Sequence, residues 1–526
     1  MKIDPNRHIN FIEDINNYVP EDIDGIFSCL EPISIPKRMG KLVIVSNRLP
    51  IVSSRDSSGK ARVMPGAGGL VTALKPILSS QGGRWIGWPG TSDGGYLNQG
   101  LGRVGEEMGC SFRPVTLSEE EINKYYLSFS NRILWPVFHG LLSHCQLDLT
   151  SWNTYRQVNT KFAEVVIRNT TENDYVWVHD FHLLLVGKEL RKMGFRGQIG
   201  FFLHIPFPPV NTMKTLPWCS EILKSMLQYD LIGFQTADDQ DNFTQTVGTF
   251  LGDSHIERHG NMSIINLAGY RTKVGTFPIS IDYDDFSRRA ARQEVVDKVV
   301  QIRKANAGRR IILGVDRLDY TKGIPHRLRA FRKVLESHAE LTGGVTLIQV
   351  VVPNREEIPD YQRLKSEIEG LVGEINDSFA RPGWQPVQYI YGSVGASDLL
   401  AHYQAADVAL VTPLKDGMNL VAKEYCATHN DSDGVLVLSE FAGAARQLGK
   451  DALLVNPYDI DHLAGTIYHA LRLEIYERNM RMMRLRKLIQ EQDIYWWANL
   501  FLENTDYQVN GPETLTEVPL VPDVVC

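Results

Sequence analysis

Residues 407–425 read DVALVTPLKDGMNLVAKEY, and this stretch decides the fold. Its first part is apolar enough for a strand buried on both faces of a parallel sheet, and a helical pattern follows. Between them, Gly417 allows close approach of the backbone to a ligand, and the free amides of a helix start favour an anion. Asp416 can accept hydrogen bonds from sugar hydroxyls, and Glu424 can reach a ribose. The stretch therefore predicts a sugar-nucleotide site, although an ordinary strand-to-helix turn explains the same residues taken alone.

Length, charge and cysteine usage narrow the class of protein. Because 526 residues exceed what one hydrophobic core usually organises, we expect two domains of roughly 200 to 250 residues. The net charge of -7, with no basic stripe, argues against nucleic acid or an anionic membrane as a partner. The six cysteines form no CxxC pair and read as reduced thiols. No signal peptide and no stretch of about 18 apolar residues occurs, so we predict a soluble, cytoplasmic protein.

Apolar runs of strand length recur on both sides of residues 407–425 and alternate with helical patterns. Earlier in the chain they occupy 41–47, 176–180, 199–205, 231–236 and 273–279. After a charged helical stretch the pattern restarts with RRIILGVDRL, TLIQVVV, VQYIY, DVALVT, GVLVLSE and ALLVNP. The two series share an architecture but no sequence period, which excludes a solenoid or a propeller. The predicted fold class is α/β, with two parallel-sheet lobes.

The same pattern sets the expected division of the chain. Residues 1–40 are an N-terminal extension that ends in the polar connector PISIPKRMG. The first lobe covers 41–280 and the second lobe covers 281–485. An aromatic-rich helix at 486–508 is expected to cross back over a lobe, and 509–526 reads as an unpacked tail.

Cationic side chains follow two of the predicted strands, at the edge where open α/β sheets bind ligands. VDRLDYTKG places Arg317 and Lys322 so that a guanidinium fork and a compact ammonium can meet a diphosphate. SNRLP ends the first strand with Arg48, and PGAGGL places Gly68 and Gly69 before a helical pattern. This loop favours anions but matches neither GxGxxG nor Walker A, so a nicotinamide cofactor or an ATPase site is poorly supported. A surface cation pair remains the alternative for Arg317 and Lys322.

Polar and aromatic side chains complete the set of candidates. VHDFH ends a strand with Asp180 and FFLHIPFPP ends the next with His204, so both could face one cleft, although each could be a satisfied structural residue. The run YYLSFSNRILWPVFH places Tyr126, Trp135 and His139 where they could present polar tips to a phosphosugar. Core packing is the competing explanation for these aromatic residues.

Taken in order, these motifs closely resemble the trehalose-6-phosphate synthase family of retaining glycosyltransferases. The resemblance covers residues 41 to about 505 and rests on SNRLP, GAGGL, WIGWPG, FSNRILWP, VHDFHLL, GFFLHIPFP, DLIGFQT, VDRLDYTKG, TPLKDGMNLVAKEY and LSEFAGAA. It implies two Rossmann-like lobes with a deep cleft between them, the GT-B architecture. It also implies transfer of glucose from a nucleotide sugar, usually UDP-glucose, to glucose 6-phosphate with retained configuration.

The resemblance assigns roles to residues of this chain. Arg317 and Lys322 are expected to bind the donor diphosphate, with backbone amides of Leu420 and Val421 and the Gly68-Gly69 loop. Glu424 is expected to hold the ribose, with Val394 near the base. The donor glucose is assigned to Asp416, Gly417, Met418, Asn419 and His204. The acceptor is assigned to Arg48, Trp88, Tyr126, Trp135, Asp180 and Arg355. Of these, Asp180, His204, Arg317, Lys322 and Asp416 are the expected catalytic group.

No metal and no cofactor are expected. Two cations and helix amides can stabilise the charge on a departing diphosphate, so the reaction requires no metal. The motif Asp282-Tyr-Asp284 resembles the DxD clamp of the other large glycosyltransferase fold, yet it opens a charged helix instead of ending a strand.

Departures from the family pattern leave some alternatives open. Val394 stands where an aromatic residue can flank the base, so UDP, GDP or ADP as the donor nucleotide is undecided. No phosphatase domain follows the transferase unit, so a separate trehalose-6-phosphate phosphatase is an expected partner, and a homo-oligomer is possible. The rival functions are a glucosylglycerol-phosphate synthase, which uses glycerol 3-phosphate, and a non-catalytic regulatory subunit. Arg48 and GAGGL favour glucose 6-phosphate as the acceptor. The presence of every expected ligand contact, namely Arg317, Lys322, Asp416, Glu424 and His204, argues against a non-catalytic subunit.

Overall fold

Two large sheets, each covered by helices, organise the chain. The structure, a computed structural model, describes residues 40–55, 61–65, 74, 78, 83–92 and 98–505. Gly68, Gly69, nearly all of the N-terminal extension and the whole tail lie outside these residues. The predicted α/β class with two largely parallel sheets is confirmed.

The first sheet contains all five strands predicted for this half of the chain. Its strands are β1 (Leu42–Arg48), β4 (Arg84–Trp88), β5 (Ser111–Pro114), β6 (Tyr175–His179), β7 (Ile199–Phe202), β8 (Leu231–Phe234), β9 (His255–His259), β10 (Met262–Leu267) and β11 (Tyr270–Thr276), with a separate hairpin of β2 (Ile51–Arg55) and β3 (Ala61–Pro65). The nine strands follow the order β5-β4-β1-β6-β7-β8-β11-β10-β9. All neighbours pair in parallel except β10, which is antiparallel to both β11 and β9.

The second sheet is entirely parallel. Its strands are β12 (Arg310–Arg317), β13 (Val345–Val352), β14 (Val387–Tyr391), β15 (Val408–Val411), β16 (Val435–Ser439) and β17 (Leu453–Val455). They follow the order β14-β13-β12-β15-β16-β17, and all six match strands predicted from the sequence. In β15, Val408 and Leu410 pack on one face while Ala409 and Val411 pack on the other. This two-sided burial explains why residues 407–414 read as a continuous apolar run.

Helices cover both sheets. Around the first sheet lie Asn98–Glu107, Glu119–Glu121, Trp135–Phe138, Ser151–Asn169, Val186–Lys192, Val210–Met213, Cys219–Met226 and Ala237–Phe250, with a π-helix at Ile122–Leu134 and 3₁₀ turns at Leu142–His144 and Phe181–Leu183. The second half contains Tyr283–Ala290, Gln293–Ala305, Ile324–Ser337, Pro359–Phe379, Ala396–Ala405, Leu420–Thr428, Ala445–Leu448, Ile460–Arg472, Ile475–Glu491 and Ile494–Glu503, with 3₁₀ turns at Tyr320–Lys322 and Ala339–Leu341. Among the described residues, none of these helices is long and apolar enough to cross a membrane.

The last helix, Ile494–Glu503, returns to the first sheet. The Trp497 ring lies 5.0 Å from that of Trp177 in β6, and the Phe501 ring lies 4.5 Å from it. Trp497 Nε1 also donates to the carbonyl of Phe277, just after β11, at 3.1 Å. The preceding helix Ile475–Glu491 packs on the second sheet and runs through the predicted boundary at residue 485. The domain boundaries themselves stay predictions.

The strand order of both sheets changes direction at one point. In the first sheet, the chain runs outward from β1 through β4 to β5 on one side, and from β6 on the other. In the second sheet the same reversal separates β12 from β15. Crevices at such switch points, outside the carboxyl ends of the strands, are where open α/β sheets bind ligands.

Candidate functional site

Arg48 and Asp180 lie at the switch point of the first sheet, at the end of β1 and directly after β6. Asp180 has a φ of 78°, in the left-handed region that non-glycine residues rarely adopt. Its Oδ1 accepts a hydrogen bond from the backbone N–H of His204 at 3.3 Å. Burial raises the pKa of Asp180 to about 6, even though backbone hydrogen bonds and the charges of Arg317 and Arg355 act to lower it. A half-buried carboxyl group with a strained backbone and a raised pKa is typical of a functional site.

An aromatic wall fixes the guanidinium group of Arg48. Its Cζ lies 4.8 Å from the centre of the Trp88 ring, a cation–π contact. Trp88 in turn packs edge-on against Tyr126, with ring centres 5.5 Å apart. Gly90, with a φ of 93°, is needed here because a Cβ at this position would lie 2.2 Å from Nη2 of Arg48. Burial lowers the pKa of Arg48, and this effect outweighs the phenol of Tyr126, which raises the pKa.

A second guanidinium group reaches the same wall from the other half of the chain. Arg355, after β13, lies with its Cζ 4.5 Å from the centre of the Trp135 ring. Burial lowers the pKa of Arg355, but Tyr361, Tyr126 and Asp319 raise it by more. Tyr126 therefore acts in the same direction on the pKa of a guanidinium group from each half of the chain.

Asp319 joins the two halves beneath these cations. Its Oδ1 accepts a hydrogen bond from Trp135 Nε1 at 3.3 Å, and its Oδ2 accepts one from the Tyr361 hydroxyl at 3.2 Å. Arg355 Nη1 donates to the same hydroxyl at 2.8 Å and lies 3.6 Å from Asp319. The carboxylate is completely buried, and burial alone would raise its pKa. The surrounding cations outweigh this effect and lower the pKa, so Asp319 is charged.

The switch point of the second sheet carries a separate cluster. Arg317 ends β12 with its side chain exposed, and Lys322 ends the 3₁₀ turn that follows. The Nζ of Lys322 forms an ion pair with Oδ2 of Asp416, which follows β15. Asn419 Nδ2 donates to the same carboxylate oxygen at 3.1 Å. The cluster therefore contains one engaged cation, one exposed cation and a carboxylate.

The segment after Asp416 touches the first half of the chain and then starts a helix. Gly417 packs so closely on the backbone of His204 that a Cβ would lie 2.1 Å from the His204 carbonyl oxygen. Asn419 has a φ of 73° and caps the helix Leu420–Thr428 without a side-chain hydrogen bond. The backbone N–H groups of Leu420 and Val421 are thus among those that a helix leaves without an internal acceptor.

Glu424 and Val394 lie beyond this helix start. The carboxylate of Glu424 accepts a hydrogen bond from the Tyr403 hydroxyl at 2.8 Å, and burial raises its pKa. Val394 is half-buried between β14 and the helix Ala396–Ala405, and Met418 is buried beneath the loop.

His204 is paired with a second histidine. Its Nε2 lies 3.0 Å from Nδ1 of His179, the last residue of β6. Burial lowers the pKa of His204 to about 3 and that of His179 well below its usual value. Both imidazoles are therefore neutral near pH 7.

The structure places most of the predicted residues that it describes in two groups near the two switch points, and the groups are joined by the contacts of Asp319 with Trp135 and of Gly417 with His204. Gly68 and Gly69 lie outside the described residues. Sequence reasoning missed four residues that hold these groups, namely Asp319, Tyr361, His179 and Tyr403. Asp319 lies within VDRLDYTKG, so its motif carried a signal, whereas Tyr361 and Tyr403 lie inside helices without one. His139 bonds the Trp135 carbonyl at 2.8 Å and is buried, as core packing predicts.

The described residues contain no group of three or more His, Cys, Asp or Glu side chains placed to hold a metal ion. Asp282 caps the helix Tyr283–Ala290 by accepting from the Asp285 N–H at 2.9 Å, as its predicted position at a helix start implies.

Known proteins with the same sequence pattern are numerous. The family model of glycosyltransferase family 20 matches residues 40–507. A trehalose-6-phosphate synthase of Mycolicibacterium paratuberculosis is 40% identical over 467 residues, which cover 88% of this chain and 94% of that protein. A bifunctional trehalose-6-phosphate synthase/phosphatase of Thermoproteus tenax is 39% identical over 473 residues. The match spans 63% of that longer relative and 88% of this chain.

Solved structures show the same fold. An α,α-trehalose-phosphate synthase (UDP-forming) from Burkholderia xenovorans, in complex with glucose 6-phosphate, matches with a TM-score of 0.80 and 34% identity. The match covers 89% of this chain and all of that one. An E. coli structure bound with UDP-2-fluoro glucose matches with a TM-score of 0.79 and 33% identity, and covers 89% and 99% of the two chains.

Proposed function

Because the chain belongs to glycosyltransferase family 20, we propose that it transfers glucose from UDP-glucose to glucose 6-phosphate with retention, which yields trehalose 6-phosphate and UDP. Relatives named as trehalose-6-phosphate synthases support the reaction, and structures with glucose 6-phosphate and with a UDP-sugar analogue support the two substrates. The observation that carries the proposal is that a guanidinium group from each half of the chain lies over a tryptophan ring of the first half, Arg48 over Trp88 and Arg355 over Trp135.

Arg48 and Arg355 bind the acceptor phosphate. Each guanidinium group lies over an aromatic ring, and Arg355 is held further by its hydrogen bond from Nη1 to Tyr361. Both groups keep other N–H donors for phosphate oxygens. Tyr126 and Trp135 line the space between them, and Trp88 supports Arg48 from behind. Asp180, at the adjoining strand end, accepts from a hydroxyl of the acceptor sugar. Asp319 balances only one of these two positive charges, so the arrangement favours an acceptor that carries a phosphate.

Arg317 and Lys322 bind the donor diphosphate together with the amides of Leu420 and Val421. The two cations and the helix start place positive charge where the leaving group accumulates negative charge. The Gly68-Gly69 loop completes this site by family resemblance. The ion pair with Asp416 already fixes the side chain of Lys322. Binding of the diphosphate to its ammonium group therefore costs little additional side-chain entropy.

Asp416, Met418 and Asn419 hold the donor glucose, with Gly417 providing close contact to His204. Glu424 binds the ribose, to which it presents a carboxylate fixed by Tyr403. Val394 contacts the base at the edge of β14. These assignments rest on family resemblance and, for the residues that follow β15, on their location at the second switch point.

The reaction needs no protein nucleophile. The bond from the anomeric carbon to the diphosphate oxygen breaks, and the acceptor hydroxyl forms its new bond on the same face. The departing phosphate takes the hydroxyl proton, while Arg317 and Lys322 stabilise its remaining charge. The two halves are held together by the contact of Asp319 with Trp135 and by that of Gly417 with His204. This closure excludes the water that would otherwise hydrolyse the donor.

We propose that no metal takes part. Two cations and the helix start supply the charge that a divalent ion supplies elsewhere. Treatment with EDTA should leave turnover within about twofold of the untreated rate, while loss of turnover that Mg²⁺ restores would contradict this proposal.

The substrate assignment is tested with a panel of donors and acceptors. UDP-, GDP- and ADP-glucose are each offered with glucose 6-phosphate and with glycerol 3-phosphate, and products are identified by mass and linkage. We expect the α,α-1,1-linked disaccharide phosphate from UDP-glucose and glucose 6-phosphate. Faster turnover with glycerol 3-phosphate would replace the proposed function with the rival synthase, and no turnover with any pair would favour a regulatory subunit. The product is a phosphate ester, so a phosphatase is the expected next enzyme.

A further inference from the structure

His179 is buried directly before Asp180 in the chain, and its side chain contacts the side chain of His204. It is completely buried at the end of β6, where its ring lies 4.8 Å from the Trp177 ring and 6.5 Å from the Phe202 ring. Its single hydrogen bond in the described part of the chain joins its Nδ1 to Nε2 of His204 at 3.0 Å. Its other nitrogen, Nε2, is buried with no partner among the described residues.

Two neutral imidazoles that share one hydrogen bond cannot choose their tautomers independently. Each ring carries one N–H, so one ring must donate while the other accepts. If His179 accepted at Nδ1, its proton would lie on Nε2, in an apolar environment without an acceptor. Buried N–H groups without an acceptor are rarer than buried acceptors without a donor. The favoured arrangement has the proton of His179 on Nδ1, donated to His204.

This tautomer of His179 determines which ring nitrogen of His204 carries a proton that can be donated to a ligand. With Nε2 accepting, the proton of His204 must lie on Nδ1. The side chain of His204 is only half-buried, and its Nδ1 has no hydrogen-bond partner among the described residues. The backbone of His204 is fixed separately, by Asp180 on one side and Gly417 on the other.

We propose that His179 is a positioning residue, whose Nδ1–H holds the His204 ring so that Nδ1–H of His204 donates to a hydroxyl of the donor sugar. The inference deepens the proposed function and rests on its assignment of His204 to the donor glucose. It adds a residue that orients the sugar without touching it.

The tautomer is read directly by NMR, independently of activity. The full-length protein is labelled with ¹⁵N-histidine, and the His204 signals are identified by their loss in His204→Ala. In the wild type, Nδ1 of His204 should show a directly bonded proton and Nε2 should not. The opposite pattern would overturn the proposal.

A pair of variants with the same shape tests the function of the bond. In His179→Asn the amide nitrogen replaces the Nδ1 donor, whereas His179→Leu offers neither donor nor acceptor. We expect kcat/KM for the donor within about threefold of wild type in the first and reduced about tenfold in the second, the worth of one buried hydrogen bond. Equal activity of the two variants would contradict the proposal. Trp177→Phe changes the same strand two residues away without touching His204, and it should stay within about twofold of wild type.

A double-mutant cycle separates this inference from the proposed function. In a His204→Ala background, His179→Asn and His179→Leu should differ by less than about twofold, because the ring that they orient is gone. A difference as large as in the wild-type background would show that His179 acts by another route. If His204→Ala alone keeps full activity while NMR shows the expected tautomer, the assignment of His204 to the donor sugar is wrong but the histidine pairing stands.

Discussion

The donor-side and acceptor-side clusters lie at equivalent switch points but are built differently. On the donor side, Lys322, Asp416 and Asn419 all come from the second half and bond to one another directly. On the acceptor side, Arg48 comes from the first half and Arg355 from the second, and Asp319 reaches across to Trp135. The charged groups of the proposed donor site therefore all lie in one half, and only His204 and the Gly68-Gly69 loop are expected from the other. The charged groups of the proposed acceptor site come from both halves.

This difference predicts an order of events. A donor can bind to the second half whether the cleft is open or closed, but the acceptor phosphate is fully bound only after closure. Closure excludes water at the moment when both substrates are present, which protects the activated donor from hydrolysis. We expect the hinge near residues 280–290, where the chain passes from the first half to the second.

The donor side is tested first by removing its cations. Arg317→Ala and Lys322→Ala should each lower kcat/KM by at least about 100-fold, since each removes a charged contact to the leaving diphosphate in a water-excluded cleft. Arg329→Ala is the matched control, because its exposed guanidinium pairs only with Glu367 on the surface and its loss should change the rate less than about twofold. Changes below fivefold in both test variants would refute the donor assignment.

The acceptor side is tested by a double substitution. Arg48→Ala with Arg355→Ala should raise KM for glucose 6-phosphate by at least about 50-fold, because two charge-assisted contacts to the phosphate are lost. Calorimetry of UDP binding is the control, and the affinity should stay within about threefold of wild type. If UDP affinity falls as much as acceptor affinity, the two clusters do not bind separate substrates.

The difference in construction also explains what the sequence could predict. The strand, loop and helix at residues 407–425 are contiguous, so their pattern predicted the elements that carry Asp416, Gly417 and Glu424, and the structure has these elements. Arg48 and Tyr126 could be expected near each other only through strand order and family resemblance. The role of Asp319 in joining the halves depends on tertiary contacts with Trp135 and Tyr361, which no spacing encodes.

The hydrogen bond between His179 and His204 and the π-helix could not be predicted from the sequence either. His179 is adjacent to Asp180 in VHDFH, but its bond to His204 depends on the parallel pairing of β6 and β7 and on the turn after β7. The π-helical path of Ile122–Leu134, which sets the direction of Tyr126, has no pattern of its own in the sequence. Apolar runs predicted five of the nine strands of the first sheet and all six of the second, because strands buried on both faces are apolar throughout. An exposed edge strand such as β9 has no such run.

The pH dependence of acceptor binding tests the half-buried carboxyl group of Asp180. Its pKa of about 6 means that the group becomes protonated as the pH falls through 6, so it then loses its capacity to accept from the acceptor hydroxyl. We expect the ionisation of Asp180 alone to lower kcat/KM for glucose 6-phosphate about fourfold between pH 7.5 and pH 5.5. A phosphate ester also gains a proton near pH 6, so the measurement is compared with Asp180→Asn, which should retain only the decline caused by the substrate. Identical profiles for the two proteins would contradict the role of Asp180.

The raised pKa of Asp180 also changes how the free energy of unfolding depends on pH. The folded state binds the Asp180 proton more tightly than the unfolded state does, so this group costs stability as the pH rises from about 4 to about 6. The cost above pH 6 is of order 3 kcal/mol, from a shift of about two pKa units. Asp180→Asn should therefore raise the melting temperature at pH 8 more than at pH 4. A variant that is less stable than wild type at both pH values would show that the carboxylate stabilises the fold.

The smallest expected effect concerns the contact that joins the two halves. Trp135→Phe keeps an aromatic ring beneath Arg355 but removes the Nε1–H that donates to Asp319 at 3.3 Å. The bond is long for a charge-assisted one, so its loss should raise KM for glucose 6-phosphate about threefold to fivefold and leave UDP affinity unchanged. Trp152→Phe is the matched control, because Trp152 is a buried tryptophan of the same half that packs against Phe129 and Trp218 and lies outside the proposed site. If Trp135→Phe weakened UDP as much as glucose 6-phosphate, contact between the halves would be required for both substrates, and the proposed order of binding would be wrong.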